Sequence, residues 1–307
     1  MIRDTQKQFS EGKLNKWQYI DAMYAHHQLL FEYAELLPNT NISSISVEDN
    51  KVVMTFRDSR LKFIVSEGDK RLAPLDTLNF STYEQEELQL QYLLAENCDS
   101  ILDIGGNYGW YAMHMANRFP KTFVHSFEPI PFTFNHLNKN VAINNIRNVR
   151  TYNVGLSETK GSFDFFYDPK LSVNVSLARV SESETLEKVV CHVETLDEIV
   201  RKENLNVDFI KCDVEGAELF VFKGAKDTLT KFTPIIFTEM LRKWTAKFGY
   251  HPNDIIDFLA QFGYQCLVGS DMNLAPFTKV DDQTVETNYF FLHTMRHRDL
   301  IAKFIKK

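Results

Sequence analysis

The chain has little cysteine, no long apolar run and no excess of basic charge. Four cysteines stand among 307 residues: Cys98, Cys191, Cys212 and Cys266. They are scattered, no two have zinc-ligand spacing, and so few in so long a chain make no disulfide framework. Buried or half-buried thiols in a reducing compartment are expected. No apolar stretch approaches the ~20 residues that span a bilayer. The opening MIRDTQKQFSEGKLNKW is too polar for the apolar region of a secretory signal. A soluble, cytoplasmic protein is therefore expected. Lys and Arg number 34 against 41 Asp and Glu, a net charge of -7. Binding to nucleic-acid phosphates calls for a basic face, so nucleic acid is not the expected partner. Internal repeats and low-complexity segments are also missing.

Hydrophobic residues make up 44% of the chain, ample for a core, and 25 Phe point to aromatic-rich packing. The most informative run is ILDIGGNYGW, Ile101 to Trp110. Ser100 to Ile104 reads as a buried parallel strand carrying Asp103 near its end. Gly105, Gly106 and Gly109 then turn the chain into a helical pattern, Trp110 to Arg118. Such a turn lets backbone N–H groups approach a ligand at a helix N-terminus. Thr122 to Phe127 reads as the next strand, ending in Glu128 and Pro129. An acid about 20 residues beyond the glycine turn is placed to accept hydrogen bonds from ribose hydroxyls.

The glycine spacing is G-G-x-x-G, not the G-x-G-x-x-G of pyrophosphate binders. Asp103 inside the motif would repel a pyrophosphate and suits a ligand carrying an ammonium group. S-adenosylmethionine has that group and a ribose, without phosphate. NAD is disfavoured on the same grounds. Downstream, VDFIKCDVEGAELFVFKGA gives a strand, Val207 to Cys212, then Asp213-Val214-Glu215-Gly216, then a helix. Doubly wound sheets place their ligand chemistry at such strand ends.

With DIGGNYG, FEP at Phe127 to Pro129, NVGLS at Asn153 to Ser157 and TLDEIV at Thr195 to Val200, the chain resembles the FkbM family of S-adenosylmethionine-dependent methyltransferases. The likeness runs from about Thr82 to Met240, with TYEQEEL at Thr82 to Leu88 ahead of the first strand. Gly106 stands where the family commonly has alanine, and Cys212 where it commonly has an aliphatic residue. The resemblance implies an α/β, Rossmann-like class I methyltransferase fold. Its sheet is mostly parallel and doubly wound, with an antiparallel final hairpin. It also implies S-adenosylmethionine as cofactor and a small-molecule or glycan acceptor. A sugar hydroxyl in surface polysaccharide or natural-product biosynthesis is the expected site of O-methylation. The alternative is a fold that binds cofactor but serves as a non-catalytic scaffold in glycan assembly.

Two regions are expected, residues 1–80 as an N-terminal α+β extension and 81–307 as the methyltransferase domain. Within the first, Lys16 to Leu37 shows helical apolar spacing, stopped by Pro38. Ile42 to Val47, Lys51 to Phe56 and Leu61 to Val65 read as a meander. Within the second, a helix from Tyr83 to Glu96 precedes the first strand. Ser162 to Tyr167 and Lys188 to Val193 read as a hairpin pair flanking a polar loop, Asp168 to Glu187. Ile235 to Phe237, Tyr264 to Val268 and Asn288 to His293 are further strands, the last two an antiparallel pair. The basic tail MRHRDLIAKFIKK, Met295 to Lys307, reads as a helix docked on its own domain. Peripheral membrane contact is its other reading.

An oxygen acceptor has to lose a proton, so a base within hydrogen-bond reach is expected. Asp213, Glu215 and Glu239 are the candidates, at adjoining strand ends. Three carboxylates there could instead hold a divalent cation against a sugar diol. Glu215 and Glu218 also suit a helix N-terminus. The expected cofactor contacts are Tyr83, Glu84, Asp103, Gly105, Gly106, Asn107, Gly109, Glu128, Pro129, Asn153, Gly155, Leu156 and Asp213. Trp110 and Tyr111 follow the turn closely enough to pack near a methionine moiety. His114, His26 and His27 read as packing or surface residues, and no metal ligand set is assigned.

Overall fold

The computed structural model describes residues 1–168, 171–176 and 187–305, with side chains from 167 to 176 left aside. It opens with helices α1 (Ile2–Ser10), α2 (Lys16–His27) and α3 (Leu29–Leu36). Asn15 caps α2, its side chain accepting from the Trp17 and Gln18 N–H groups. The single expected helix is thus two, broken at Gln28. Strands β1 (Ile42–Glu48), β2 (Lys51–Phe56) and β3 (Lys62–Val65) form the expected antiparallel meander, followed by α4 (Ala73–Phe80).

This N-terminal sheet does not stand apart. Ile42, Met54, Phe56, Leu61 and Phe63 share one apolar cluster with Met113 and Trp110 of the following fold. The outer edge of β3 is satisfied by side chains rather than by another strand. Ile64 N–H donates to Asn140 Oδ1 at 2.9 Å, and Asn144 exchanges two hydrogen bonds with the Lys62 backbone at 2.8 and 2.7 Å. An edge covered in this way cannot recruit another strand.

The main sheet follows. Its first half runs α5 (Gln85–Leu94), β4 (Ser100–Ile104), α6 (Trp110–Arg118), β5 (Phe123–Phe127), α7 (Pro131–Ile143) and β6 (Val149–Tyr152). A smaller sheet is made of β7 (Gly155–Leu156), β8 (Gly161–Asp168), β9 (Leu171–Ser176) and β10 (Glu187–Glu194). The polar loop expected from Asp168 to Glu187 therefore contains a strand, and its remainder, 177–186, lies outside the described residues. The second half runs α8 (Leu196–Glu203), β11 (Phe209–Cys212), α9 (Glu218–Lys223), α10 (Lys226–Phe232) and β12 (Ile235–Glu239). Then come α11 (Arg242–Thr245), α12 (Pro252–Ala260), β13 (Tyr264–Ser270), β14 (Asn273–Pro276), β15 (Asn288–His293) and α13 (Arg298–Phe304).

The eight strands lie in the order β14-β13-β15-β12-β11-β4-β5-β6. The pairs from β12 to β6 are parallel, and β15 is antiparallel to both β12 and β13. This is the expected doubly wound sheet with its antiparallel final pair. Alternation along β4 and β11 sends Leu102, Ile104, Ile210 and Cys212 to one apolar face, and Ile101 and Phe209 to the other. Phe304 of α13 is buried, with Leu300, Ile301 and Ile305 packed on the same cluster. The tail helix thus applies its apolar side chains to its own core. All four cysteines are free and buried. Among the described residues no helix is long and apolar enough to cross a membrane.

Candidate active site

The order in which strands are added reverses between β4 and β11: from β4 the chain builds outward through β5 and β6, then returns to β11 and β12 on the other side. In open α/β sheets that switch point opens a crevice at the carboxyl ends of the strands. A cavity open to solvent lies there. Its walls combine Gly105, Gly106, Asn107 and Glu128 with Lys211, Asp213 and Glu215.

The glycine turn is fixed from below. Gly105 and Gly106 N–H groups both donate to Phe127 O, at 3.0 and 2.9 Å. Gly105 has φ +77, and a Cβ there would lie 1.8 Å from Asp213 O. Gly106 leaves room for Ser126 Oγ, which a Cβ would approach to 2.1 Å. Bare backbone is therefore a steric requirement at Gly105, where the blocking atom is backbone, whereas at Gly106 it is the Ser126 hydroxyl that would have to turn aside. Gly105→Ala is expected to weaken cofactor binding at least a hundredfold, about 2.7 kcal/mol. Calorimetric titration with S-adenosylhomocysteine checks this, and affinity within threefold of wild type would refute it.

Glu128 closes the opposite wall. Its oxygens accept from Asn107 N–H at 3.0 Å and Ile130 N–H at 2.9 Å. A carboxylate has about four acceptor sites, so two remain for ligand hydroxyls. Burial pushes the carboxyl up to about 7, against the lowering effect of those two N–H groups. Its ionised form therefore destabilises the empty fold above that pH, a penalty that disappears as pH falls towards the ordinary carboxylate value. Binding of hydroxyls uses the ionised form. Affinity for S-adenosylhomocysteine is thus expected to fall by nearly tenfold per pH unit below about 7. Glu128→Gln should bind weakly with a flat profile, and equal slopes in both proteins would exclude the assignment.

Across the floor, three polar side chains sit side by side on neighbouring strands. Register pairs Ser126 with Asp103 and Asp103 with Lys211. Ser126 Oγ donates to Asp103 Oδ2 at 3.0 Å. Lys211 Nζ donates to Gly105 O at 2.8 Å and lies 3.4 Å from Asp103 Oδ1 and 3.8 Å from Asp213 Oδ2. Burial favours the neutral form of each partner, raising Asp103 and pulling Lys211 down. The two facing acids more than offset this for Lys211, lifting it above the ordinary lysine value. We take the pair as ionised, because Nζ also meets the Gly105 carbonyl.

Carboxylates crowd the third wall. Glu84 accepts from Tyr111 Oη at 2.6 Å, while burial raises its carboxyl. Burial, then Asp213 and Glu239, raise Glu215 well above the ordinary value. Glu239, half-buried at the end of β12, is pushed up to about 9 by burial and then by Asp213, Glu218 and Glu84. Glu84, Asn107 and Glu215 line the cavity with φ of 43, 46 and 56. Non-glycine residues in that region store strain, and such residues cluster at functional sites. Glu218 supports the Asp213–Gly216 turn from beneath, accepting from Val214 and Gly216 N–H at 3.0 and 3.1 Å.

Several expected contacts lie elsewhere. Asp103 is 1% exposed and sits under the turn on Lys211, so it does not face a ligand ammonium. Gly109 precedes α6, where a Cβ would meet Leu137 Cδ1 at 2.5 Å. Asn153 braces the Glu128–Pro129 backbone, donating at 2.9 Å to both carbonyls. Gly155 and Leu156 belong to the smaller sheet, paired with Val193 and Glu194. These five shape the site's frame rather than its wall. Tyr83, Pro129, Trp110 and Tyr111 do reach the cavity. His114 is buried against Phe56, Phe63 and Trp110 and is a packing residue. Among the described residues no three acids, histidines or cysteines are grouped to hold a metal. Lys211 is the wall residue that sequence reading missed. Its signal was a lone lysine in an otherwise apolar buried strand.

The sheet order, glycine cradle and terminal acid of β5 define a Rossmann-like class I methyltransferase. More specifically, residues 103–266 match the methyltransferase FkbM domain, and the chain belongs to that family. It is an S-adenosylmethionine-dependent methyltransferase domain, and the cradle and Glu128 fit that cofactor. Methyltransferase 1 of Beauveria bassiana is 27% identical over 41% of this chain, a match spanning 58% of that protein's length. The 2-O-methyltransferase NoeI of Sinorhizobium fredii is 30% identical over 49% of this chain and 67% of its own. The hexuronic acid methyltransferase AglP of Haloferax volcanii is 27% identical over 58% and 68%.

Proposed function

We propose that this protein methylates a hydroxyl oxygen of a sugar or glycan, in surface polysaccharide or natural-product biosynthesis. The observation that supports it best is the set of carboxylates at the ends of β11 and β12. S-adenosylmethionine supplies an activated methyl group when bound. What remains for the protein is to bind, align the acceptor, exclude water and take a proton. Positioning contributes much of the rate. Glu128 and the glycine turn hold the nucleoside side. Asp213 and Glu215 clamp the acceptor. Glu239, whose raised pKa makes its ionised form a stronger base, takes the hydroxyl proton. Its register partner Asn288 lines a groove of about 560 Å³ with Glu86, Glu87 and Thr287, and the acceptor enters there. The names of two relatives, a 2-O-methyltransferase and a hexuronic acid methyltransferase, support the sugar class.

The test is incubation with S-adenosylmethionine and a panel of oligosaccharides, small phenols and amines. S-adenosylhomocysteine release and product mass are read. Methyl ethers on sugars alone are expected. Turnover confined to amines or phenols would reject the reading.

A further inference from the structure

Among the described residues four acids line the cofactor cavity: Glu84, Glu128, Asp213 and Glu215. S-adenosylmethionine brings an ammonium group to this cavity, and Asp103, the acid expected to meet it, lies beneath the turn on Lys211. The wall acids are not equivalent. Glu128 ends β5 and accepts from two backbone N–H groups, on the nucleoside side. Asp213 has the Lys211 ammonium 3.8 Å away. Glu215 lies among Asp213, Glu239, Glu218 and Lys243, towards the acceptor. Glu84 differs from all three. It is half-buried, the Tyr111 hydroxyl donates to its Oε2 at 2.6 Å, and among the described residues no cation forms an ion pair with it. A phenol orients a carboxylate without neutralising it, and most of the carboxylate's four or so acceptor sites remain open. Tyr111 is itself held, with Lys211 Nζ 5.3 Å from its ring centroid and Phe237 beside it at 5.8 Å. The Glu84 backbone is left-handed, with φ 43, a strain that recurs at ligand sites. The fold therefore sets an uncompensated acid in the cavity wall, which is unfavourable until a cation meets it.

We propose that Glu84 takes the ammonium of the cofactor's methionine moiety, with Tyr111 as its positioning residue. Position agrees with charge. Glu128 stands at the end of β5, on one side of β4. The charged groups that act on Glu84 are Asp213 and Lys211, which belong to the β11 side, across β4. A ligand with its ribose on Glu128 that crosses the glycine turn therefore ends at Glu84. The pairing selects a nucleoside that carries an amine over one that lacks it. This assignment rests on S-adenosylmethionine as the cofactor.

The test is calorimetric titration of the full chain with S-adenosylhomocysteine and with its deaminated analogue, which keeps the thioether and the carboxylate and lacks the amine. Wild type should bind the analogue about tenfold more weakly, the usual weight of a hydrogen bond between charged groups. Glu84→Gln should bind S-adenosylhomocysteine about tenfold more weakly than wild type does, leave the analogue no weaker, and so lose the preference. A purely structural role would weaken both ligands alike and keep the preference. Tyr111→Phe removes the hydroxyl that holds the carboxylate; it should reduce the preference and stands in if Glu84→Gln fails to fold. Equal affinity of wild type for both ligands, or a preference that survives in these variants, would overturn the proposal. Binding of neither ligand to wild type would instead remove the cofactor, and the proposal with it.

Discussion

Replacing Lys211 by methionine is expected to lower the free energy of unfolding by about 3–5 kcal/mol. The side chain is 5% exposed, and its ammonium meets Asp103, Asp213 and the Gly105 carbonyl. Methionine fills similar volume but leaves Asp103 buried with Ser126 as its remaining hydrogen-bond partner. An uncompensated buried charge is what makes such removals costly, more than the pair's own attraction. The second arm follows from that distinction. Adding Asp103→Leu to Lys211→Met removes the stranded charge and should recover most of the loss. Urea unfolding of the two single variants and the double variant reads the coupling directly. A Lys211→Met loss under about 1 kcal/mol, or a double variant worse than either single, would mean that the pair is not ionised in the fold. Cofactor affinity should fall in Lys211→Met, because Nζ anchors the Gly105 carbonyl from beneath the turn.

The same ion pair shows what one sequence does and does not make legible. β4 and α6 were readable to the residue, because an apolar run followed by Gly105, Gly106 and Gly109 is local information. The order of strands came with the family resemblance and the regular alternation of elements. Lys211 facing Asp103 depends on the register between β11 and β4, more than a hundred residues apart, and no local pattern carries it. Gly155 and Leu156 were misplaced for a related reason. Their neighbour is Val193 in another sheet rather than the end of β6. At the N-terminus the apolar spacing of Lys16 to Leu37 correctly indicated helix, but not the break at Gln28, where no proline or glycine stands. The meander was legible; its contact with Asn140 of α7 and with Asn144 just beyond it was not, since no local pattern marks these side chains as partners of a strand edge.

Glu239→Gln should reduce kcat by 10²–10⁴-fold, the usual weight of a positioned general base, while leaving S-adenosylhomocysteine affinity within about twofold. The residue stands at the end of β12, outside the cavity wall that holds the nucleoside side. Amide for acid keeps its volume and its ability to hydrogen-bond, and removes only the capacity to take a proton. The pH profile separates this role from simple packing. With the carboxyl pushed up to about 9 in the free enzyme, kcat/KM should rise with pH towards that value and then level. Protonated Glu239 cannot accept the hydroxyl's proton, so the sign is loss of rate on the acid side. The Gln variant should keep a residual rate that lacks this limb. Because Asp213, Glu218 and Glu84 all help to raise Glu239, Asp213→Asn should move the limb to lower pH, on top of the loss of rate that follows from weakening the acceptor clamp. A wild-type rate in Glu239→Gln would remove it from the chemistry and leave Asp213, on the cavity wall itself, as the base to test. An unshifted limb in Asp213→Asn would show instead that burial, with Glu218 and Glu84, sets the value without Asp213.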